Sequence, residues 1–117
     1  HKEQAMTDCL FCKMATGEIK PAVVYENDHV LAFHDIKPQA PTHVLIIPKR
    51  HVATLDDLSD LGLAGELLLA ARLVARQEGI ANNGYRTVVN CGGDGGQEVS
   101  HLHLHLLGGR QMKWPPG

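Results

Sequence analysis

The chain has 117 residues, 44% of them apolar, and a formal net charge of −2. This length predicts one domain with a hydrophobic core, and the charge lacks the basic excess expected of a protein that binds nucleic acid or an anionic membrane. No apolar run approaches the roughly 20 residues that span a bilayer. The odd number of cysteines, at Cys9, Cys12 and Cys91, argues against a disulfide framework and favours a cytoplasmic chain with reduced or metal-bound thiols.

The first half of the chain predicts one short helix and three strands. Residues 1–5 are polar and precede Met6, so we interpret them as a cloning remnant before a single domain at 6–117. Asp8 is placed to cap a helix over 9–16 that ends at Gly17. Strands are predicted at 23–25 and 30–33 around a tight turn. The apolar run 44–47 predicts a central strand buried on both faces.

The second half predicts the main helix and two further strands. Apolar residues recur at helical spacing over 61–78, and Gly79 ends that pattern. A strand at 85–90 leads into a glycine-rich loop at 91–97, and a histidine-rich strand follows at 100–107. This order of elements predicts a small α+β domain built around an antiparallel sheet.

The histidine-rich segment is the most informative part of the sequence. His101, His103 and His105 alternate with leucines. On a strand with period two, the leucines share one face and can join the core, whereas the three imidazoles share the other face. Imidazole titrates near neutrality, binds metals and acts as a nucleophile. The alternative is a solvated strand face that happens to be rich in histidine.

Three neighbouring features remain ambiguous on their own. The glycine-rich loop is either a flexible hairpin or, beside three imidazoles, an anion site formed by backbone N–H groups. His51 is either a solvated loop residue or a fourth imidazole of the same site. The C-x-x-C spacing of Cys9 and Cys12 suits half of a zinc site, with histidines supplying the other ligands. A redox dithiol and two small buried side chains are the alternatives for this pair.

Taken together, these segments resemble the histidine-triad (HIT) family. The motif HLHLHLL at 101–107 is similar to the family signature. AFHDI at 32–36, PQAPTH at 38–43, IPKRH at 47–51 and the tail LGGRQMKWPPG at 107–117 resemble its Hint branch, the purine nucleoside phosphoramidases. The resemblance extends from about Asp8 to Gly117. It implies a five-stranded antiparallel sheet with two helices, and a homodimer in which two sheets form one of ten strands.

The resemblance also implies roles for individual residues. His103 is the expected nucleophile at the α-phosphorus, His105 and His51 contact the phosphate, and His101 supports the imidazole network. Asn90 hydrogen-bonds the phosphate region, and Asp35 holds the ribose hydroxyls. The expected walls of the purine site are Leu10, Phe11, Phe33 and Ile36. Further nucleotide contacts are expected from Gly96, Gln97, Glu98 and Val99, and from Trp114, which reaches toward the partner's site.

Two positions depart from the animal members of the branch. Glu98 stands where those proteins carry a serine near the leaving group. Cys9 and Cys12 are similar to zinc-bearing bacterial members, in which the metal is held by the two cysteines and by the histidines matching His51 and His101. The resemblance therefore implies a structural zinc and no cofactor for catalysis.

The function that follows is cleavage of a purine nucleoside 5′-phosphoramidate to a nucleoside monophosphate and an amine. The expected ligand is a purine nucleotide or a small molecule resembling an aminoacyl-adenylate. A dinucleoside polyphosphate hydrolase, a nucleotidyltransferase and a non-enzymatic nucleotide sensor or scaffold remain as alternatives. The physiological amine and the choice between adenine and guanine stay open.

Overall fold

A computed structural model describes residues 8–117, so the interpretation of residues 1–5 and of Met6 lies outside the described range. Within residues 8–117 the helices are α1 (Leu10–Ala15) and α2 (Leu61–Gln77). The five strands are β1 (Val23–Glu26), β2 (Val30–His34), β3 (Thr42–Pro48), β4 (Tyr85–Val89) and β5 (Leu104–Gly108). A 3-10 turn occupies Leu55–Asp57.

The strands form one antiparallel sheet in the order β1-β2-β3-β5-β4. This arrangement confirms the predicted α+β fold with five antiparallel strands and two helices. β5 lies between β3 and β4, so the last strand of the chain occupies the interior of the sheet, and β1 and β4 form its edges.

The long helix α2 covers one face of the sheet. The Asp60 side chain caps its first turn by accepting a hydrogen bond from the backbone N–H of Leu63 at 3.0 Å, and Gly79 with φ +75° follows its C-terminal end. Its apolar stripe is buried against alternate residues of the inner strands. The main core comprises Val30, Ala32, Val44, Ile46, Leu104 and Leu106 from the sheet, with Leu63, Leu67, Ala70, Ala71 and Val74 from α2.

The short helix α1 covers the opposite face. Phe11 and Cys9 join a second buried cluster with strand residues Leu31, Phe33, Leu45 and Ile47. β3 is therefore buried on both faces, as its continuous apolar run predicts. The N-cap of α1 differs from the prediction, because the Sγ of Cys9, rather than Asp8, accepts the backbone N–H of Cys12 at 3.4 Å.

The histidine-rich strand is shorter than predicted. β5 begins at Leu104, so only His105 of the three histidines lies on it, while His101 and His103 precede it. Continuing the β3–β5 register beyond Ile46 and Leu104 would set Leu102 opposite Pro48, which has no N–H to donate. The Pro48 carbonyl accepts the Nε2–H of His101 at 2.8 Å, and the backbone N–H of Leu102 donates to the carbonyl of Val52 at 2.6 Å. The ladder therefore ends there.

The helices of residues 8–117 are all too short or too polar to cross a membrane.

Candidate active site and thiol cluster

A cavity of about 710 Å³ opens on the sheet face that carries α1. Most of the predicted nucleotide-binding residues line it, namely Leu10, Phe11, Phe33, Asp35, Ile36, Asn90, Gly96, Glu98, Val99, His103 and His105. Phe11 and Phe33 meet edge to face with their ring centroids 5.7 Å apart. These predicted residues thus bring apolar side chains, two carboxylates and two imidazoles around one cavity.

Six other predicted site residues, Cys9, Cys12, His51, Gln97, His101 and Trp114, lie outside this lining. Gln97 braces the glycine-rich loop, since its Oε1 accepts the N–H of Gly92 and its Nε2 donates to the carbonyls of Ala53 and Val99. Trp114 is 80% exposed, and the Arg86 guanidinium lies 6.0 Å from its ring. His51 and His101 belong to the thiol cluster described below.

The structure adds residues that the sequence did not single out. His34, Leu45, Met14, Ile19, Lys20, Pro21 and Ala22 line the cavity. The most consequential addition is His43, which is buried and contacts His105. Alternation along β3 puts His43 on the same face as Leu45, which pairs with His105. That signal is concealed in the sequence because the run after His43 is apolar on both faces.

The ring of His103 is held in one tautomer by the backbone. Its Nδ1 lies 2.8 Å from the carbonyl oxygen of His101. A carbonyl can only accept, so Nδ1 carries a proton, and in the neutral ring the lone pair is therefore on Nε2. The ring also meets Phe11 edge to face at 5.3 Å, which fixes its plane. His103 is therefore oriented as the sequence interpretation of a nucleophile requires.

The ring of His105 is held in the opposite tautomer through His43. The backbone N–H of Gln39 donates to Nδ1 of His43 at 3.0 Å, which leaves the His43 proton on Nε2. That Nε2–H donates to Nδ1 of His105 at 2.9 Å. The remaining proton of neutral His105 is then on Nε2, so His105 is a hydrogen-bond donor beside the lone pair of His103.

Burial keeps the rings of His105 and His43 neutral. It lowers the pKa of His105 to about 4, with His103 and His43 adding to the effect. Burial also lowers the pKa of His43, although the Asp35 carboxylate, 3.4 Å from its Nε2, opposes that shift. At neutral pH both rings therefore keep the single proton that the donor chain from Gln39 requires.

We expect stability to fall as the pH falls from about 6.5 to about 4. Across this window the unfolded chain binds a proton at His105 that the folded chain does not, because the native pKa is about 4. Each such histidine lowers the free energy of unfolding by about 1.4 kcal/mol per pH unit. His105→Asn should reduce this slope in urea unfolding measured across the window, whereas His29→Asn on an exposed turn should leave it. An unaltered slope in His105→Asn would contradict the assignment.

The glycine-rich loop closes on itself at the rim of the cavity. Asn90 donates from its side chain to the carbonyl of Gly95 at 2.6 Å. A Cβ at Gly95 would collide with the backbone of Cys91, so the tight return of this loop requires glycine. The closed loop sets Gly96 and Glu98 against the cavity beside Asn90.

A cluster of two thiols and two imidazoles lies next to His103 and is called the thiol cluster. The Nδ1 of His101 is 3.2 Å from the Sγ of Cys9 and 3.5 Å from that of Cys12. The Nδ1 of His51 is 3.2 Å from the Sγ of Cys12. The four potential ligand atoms all lie within 4.8 Å of one another. The structure thus brings together the four residues predicted to hold zinc.

The donor set of this cluster fits tetrahedral zinc. With bonds of about 2.3 Å to sulfur and about 2.0 Å to nitrogen, neighbouring ligand atoms are roughly 3.5 Å apart. The Nε2 of His101 donates to the carbonyl of Pro48 at 2.8 Å, so its Nδ1 lone pair faces both thiols. Without a cation, burial and Cys9 raise the pKa of Cys12 to about 12. A metal is what would hold these sulfurs as thiolates.

A second group of side chains also has potential metal-binding atoms within 4.8 Å of one another, namely Asp35, His43 and His105. Its tautomers do not suit a metal. The Gln39 N–H occupies Nδ1 of His43, so the His43 atom facing the group is a protonated Nε2 that cannot ligate. This group is therefore a hydrogen-bond chain beside the cavity.

Comparison with known proteins places the chain in a family. The model of the HIT domain matches residues 16–112. A 14 kDa zinc-binding protein of Zea mays is 53% identical over 92% of this chain and 87% of its own length. A protein of Arabidopsis thaliana named adenylylsulfatase HINT1 is 50% identical over 92% of this chain and 76% of its own length.

A solved structure gives the same result for the fold. The HIT family hydrolase from Legionella pneumophila Philadelphia 1 superposes with a TM-score of 0.92 at 57% identity, covering 94% of this chain and all of that one. The fold and the paired imidazoles beside the cavity define a histidine-triad domain. The chain belongs to the HIT family, as the sequence resemblance predicts.

Proposed function

We propose that this chain hydrolyses purine nucleoside 5′-phosphoramidates through a nucleotidyl intermediate on His103. One observation carries the proposal. The bond from Nδ1–H of His103 to the His101 carbonyl, 2.8 Å long, leaves Nε2 as the basic nitrogen of a ring that lines the cavity. A neutral imidazole with one nitrogen anchored and the other free is suited to attack phosphorus.

The proposed chemistry has two displacements. The Nε2 lone pair of His103 forms a bond to the α-phosphorus, and the phosphorus–nitrogen bond to the amine breaks as that nitrogen takes a proton from solvent. Water then attacks the same phosphorus, releases nucleoside monophosphate, gives a proton to solvent and restores neutral His103. The Nε2–H of His105 donates to the phosphoryl oxygens, where negative charge accumulates in both steps.

The remaining cavity residues suit a purine nucleotide. Phe11 and Phe33 supply aromatic surface for the base, and Ile36, 92% exposed in the free chain, supplies apolar area that a bound base would cover. Asp35 keeps acceptor capacity for ribose hydroxyls, although its Oδ1 already accepts the Lys37 N–H at 2.8 Å. A purine base would therefore contact aromatic and apolar side chains, and the ribose hydroxyls would find a carboxylate that accepts hydrogen bonds.

Adenylyl sulfate is a second candidate substrate. The relative from Arabidopsis thaliana is named an adenylylsulfatase, and the same attack by His103 would expel sulfate in place of an amine. The first displacement leaves the same nucleotidyl-histidine in both cases. One site could therefore use both substrates, with the leaving group as the only difference.

The proposal is tested by incubating the purified protein separately with adenosine phosphoramidate, adenylyl sulfate and a dinucleoside polyphosphate and measuring the turnover of each. We expect AMP from the first two and slower release from the third. If the dinucleoside polyphosphate is cleaved fastest, the proposal is wrong and the protein is a dinucleoside polyphosphate hydrolase. Tight AMP binding without turnover of any of the three would favour a nucleotide sensor or scaffold.

We further propose that Cys9, Cys12, His51 and His101 bind one structural zinc per chain, as the Cys2His2 geometry supports. Reduced thiols of this kind favour the cytoplasm as the compartment. Elemental analysis of protein purified without chelator should give about one equivalent of zinc. The Cys9→Ser/Cys12→Ser double variant should lose it, whereas Cys91→Ser should keep it. Zinc far below one equivalent after incubation with Zn²⁺ would contradict the proposal.

A homodimer is proposed through the β4 edge and α2. β4 ends the sheet on one side, so a second copy can pair with it to make ten strands. α2 exposes Leu68 at 61% and Leu69 at 66%, an apolar surface that a partner would cover. In such a dimer, Trp114 would reach toward the partner's site.

We expect Leu68→Glu/Leu69→Glu to convert the dimer to a monomer in analytical ultracentrifugation, because it would place charges in an apolar interface. Leu55→Glu, on the exposed 3-10 turn, is the matched control and should stay dimeric. A wild type that sediments as a monomer, or a double variant that sediments as a dimer, would contradict this interface.

A further inference from the structure

The short helix α1 and its N-cap contribute residues to both the thiol cluster and the cavity. Cys9 and Cys12 belong to the cluster, and the two residues between them, Leu10 and Phe11, line the cavity. Phe11 is 4% exposed, and its ring meets those of Phe33 and His103 at 5.7 and 5.3 Å. Whatever fixes the two sulfurs therefore also fixes one wall of the nucleotide site.

The second connection passes through His101. Its ring lies in the cluster, 3.2 Å from the Sγ of Cys9, and its carbonyl accepts the Nδ1–H of His103 at 2.8 Å. His101 is fully buried, and its Nε2–H is anchored to Pro48. A ligand bond at Nδ1 would immobilise the residue that orients the nucleophile.

The cluster joins segments that are far apart in the chain. Cys9 and His101 are separated by 92 positions, and Cys12 and His51 by 39. α1 has only six residues, too few to be stable by its own hydrogen bonds. In the metal-free chain the contacts between sulfur and imidazole are weak hydrogen bonds. Four metal–ligand bonds would replace them with a rigid cross-link.

We propose that metal binding at the thiol cluster and nucleotide binding in the cavity are thermodynamically linked, with each raising the affinity for the other. The cluster is then a positioning device for α1 and His103 as well as a source of stability. The inference rests on the proposed function only in taking a purine nucleotide as the occupant of the cavity. Linkage requires both affinities to change by the same factor.

Calorimetry with AMP tests one direction of the linkage. Zinc-loaded protein should bind AMP about tenfold more tightly than protein stripped by chelation. The Cys9→Ser/Cys12→Ser variant keeps an oxygen at the N-cap of α1 and should bind AMP as weakly as the stripped wild type, with or without Zn²⁺. Cys91→Ser should retain the full response to Zn²⁺, because it removes a thiol outside the cluster.

The reciprocal direction needs no substitution. Competition with a zinc-binding dye should show the zinc dissociation constant of the wild type falling about tenfold at saturating AMP. Hydrogen exchange should show faster exchange of the α1 amides after chelation. Equal AMP affinities with and without zinc, or a zinc affinity indifferent to AMP, would overturn the linkage. Absent phosphoramidate turnover with the linkage intact would instead overturn the proposed reaction alone.

Discussion

His103→Ala should lower the kcat of phosphoramidate hydrolysis by about four orders of magnitude or more, while AMP still binds. The substitution removes the Nε2 lone pair that would form the covalent bond to phosphorus. The proposed base and ribose contacts involve other residues of the cavity lining, among them Phe33 and Asp35. Steady-state kinetics and AMP titration on the same preparation separate these two effects.

The control for this variant is His29→Ala, which removes an exposed imidazole outside the cavity lining and should retain wild-type kinetics. His105→Ala should reduce kcat less than His103→Ala, because its proposed role is to donate to the phosphoryl oxygens. Near-normal turnover by His103→Ala would remove the nucleophile assignment. A larger loss in His105→Ala would indicate that the two histidines have exchanged roles.

His43→Phe should lower kcat by about a hundredfold. The ring volume is approximately kept, but the Nε2–H that bonds Nδ1 of His105 at 2.9 Å is lost. His105 is then free to turn or to adopt the other tautomer, so its proton is no longer directed at the phosphoryl oxygens. AMP affinity should change much less than kcat, because the fixed donor matters most where charge develops.

The readout that distinguishes positioning from general damage is the His105 ring itself. Nitrogen NMR of the wild type should show His105 protonated at Nε2, and His43→Phe should show a mixture of tautomers. Phe11→Leu is a matched change in the apolar lining that leaves the His43 chain intact and should keep the single tautomer. A single unaltered tautomer in His43→Phe would contradict the positioning role.

The sequence predicts the fold well because its patterns are local. Helical spacing over α2 and alternation around Leu104 and Leu106 identify the residues that meet in the main core. Once five strands and two helices are identified in this order, few arrangements of an antiparallel sheet remain possible. The C-x-x-C spacing is likewise local, since one turn of helix brings Cys9 and Cys12 to the same side.

The sequence could not predict which side chains that are distant along the chain lie next to each other in the fold. His43 and His51 each stand alone near an end of β3, and spacing does not show which of them meets His105. The sheet register decides it, because His43 lies on the face shared by Leu45 and His105. His51 packs against His101 with ring centroids 4.9 Å apart. Its expected contact with phosphate stays a prediction, and its position favours the metal role.

The start of β5 was also beyond local patterns. Alternating His and Leu residues predict a strand from the first histidine onward, but a strand needs a partner with free N–H and C=O groups. Pro48 lacks the N–H, and its carbonyl accepts the His101 side chain at 2.8 Å. The chain leaves the ladder there, which turns His101 toward the thiols and leaves His103 at the cavity.

The stereochemical course at phosphorus tests the central claim most directly. A substrate made chiral at phosphorus with sulfur can be hydrolysed in water enriched in a heavy oxygen isotope, and the product configuration can be determined. Two in-line displacements, first by His103 and then by water, invert the centre twice and predict overall retention of configuration. Overall inversion would mean a single attack by water and would contradict a nucleotidyl-histidine intermediate.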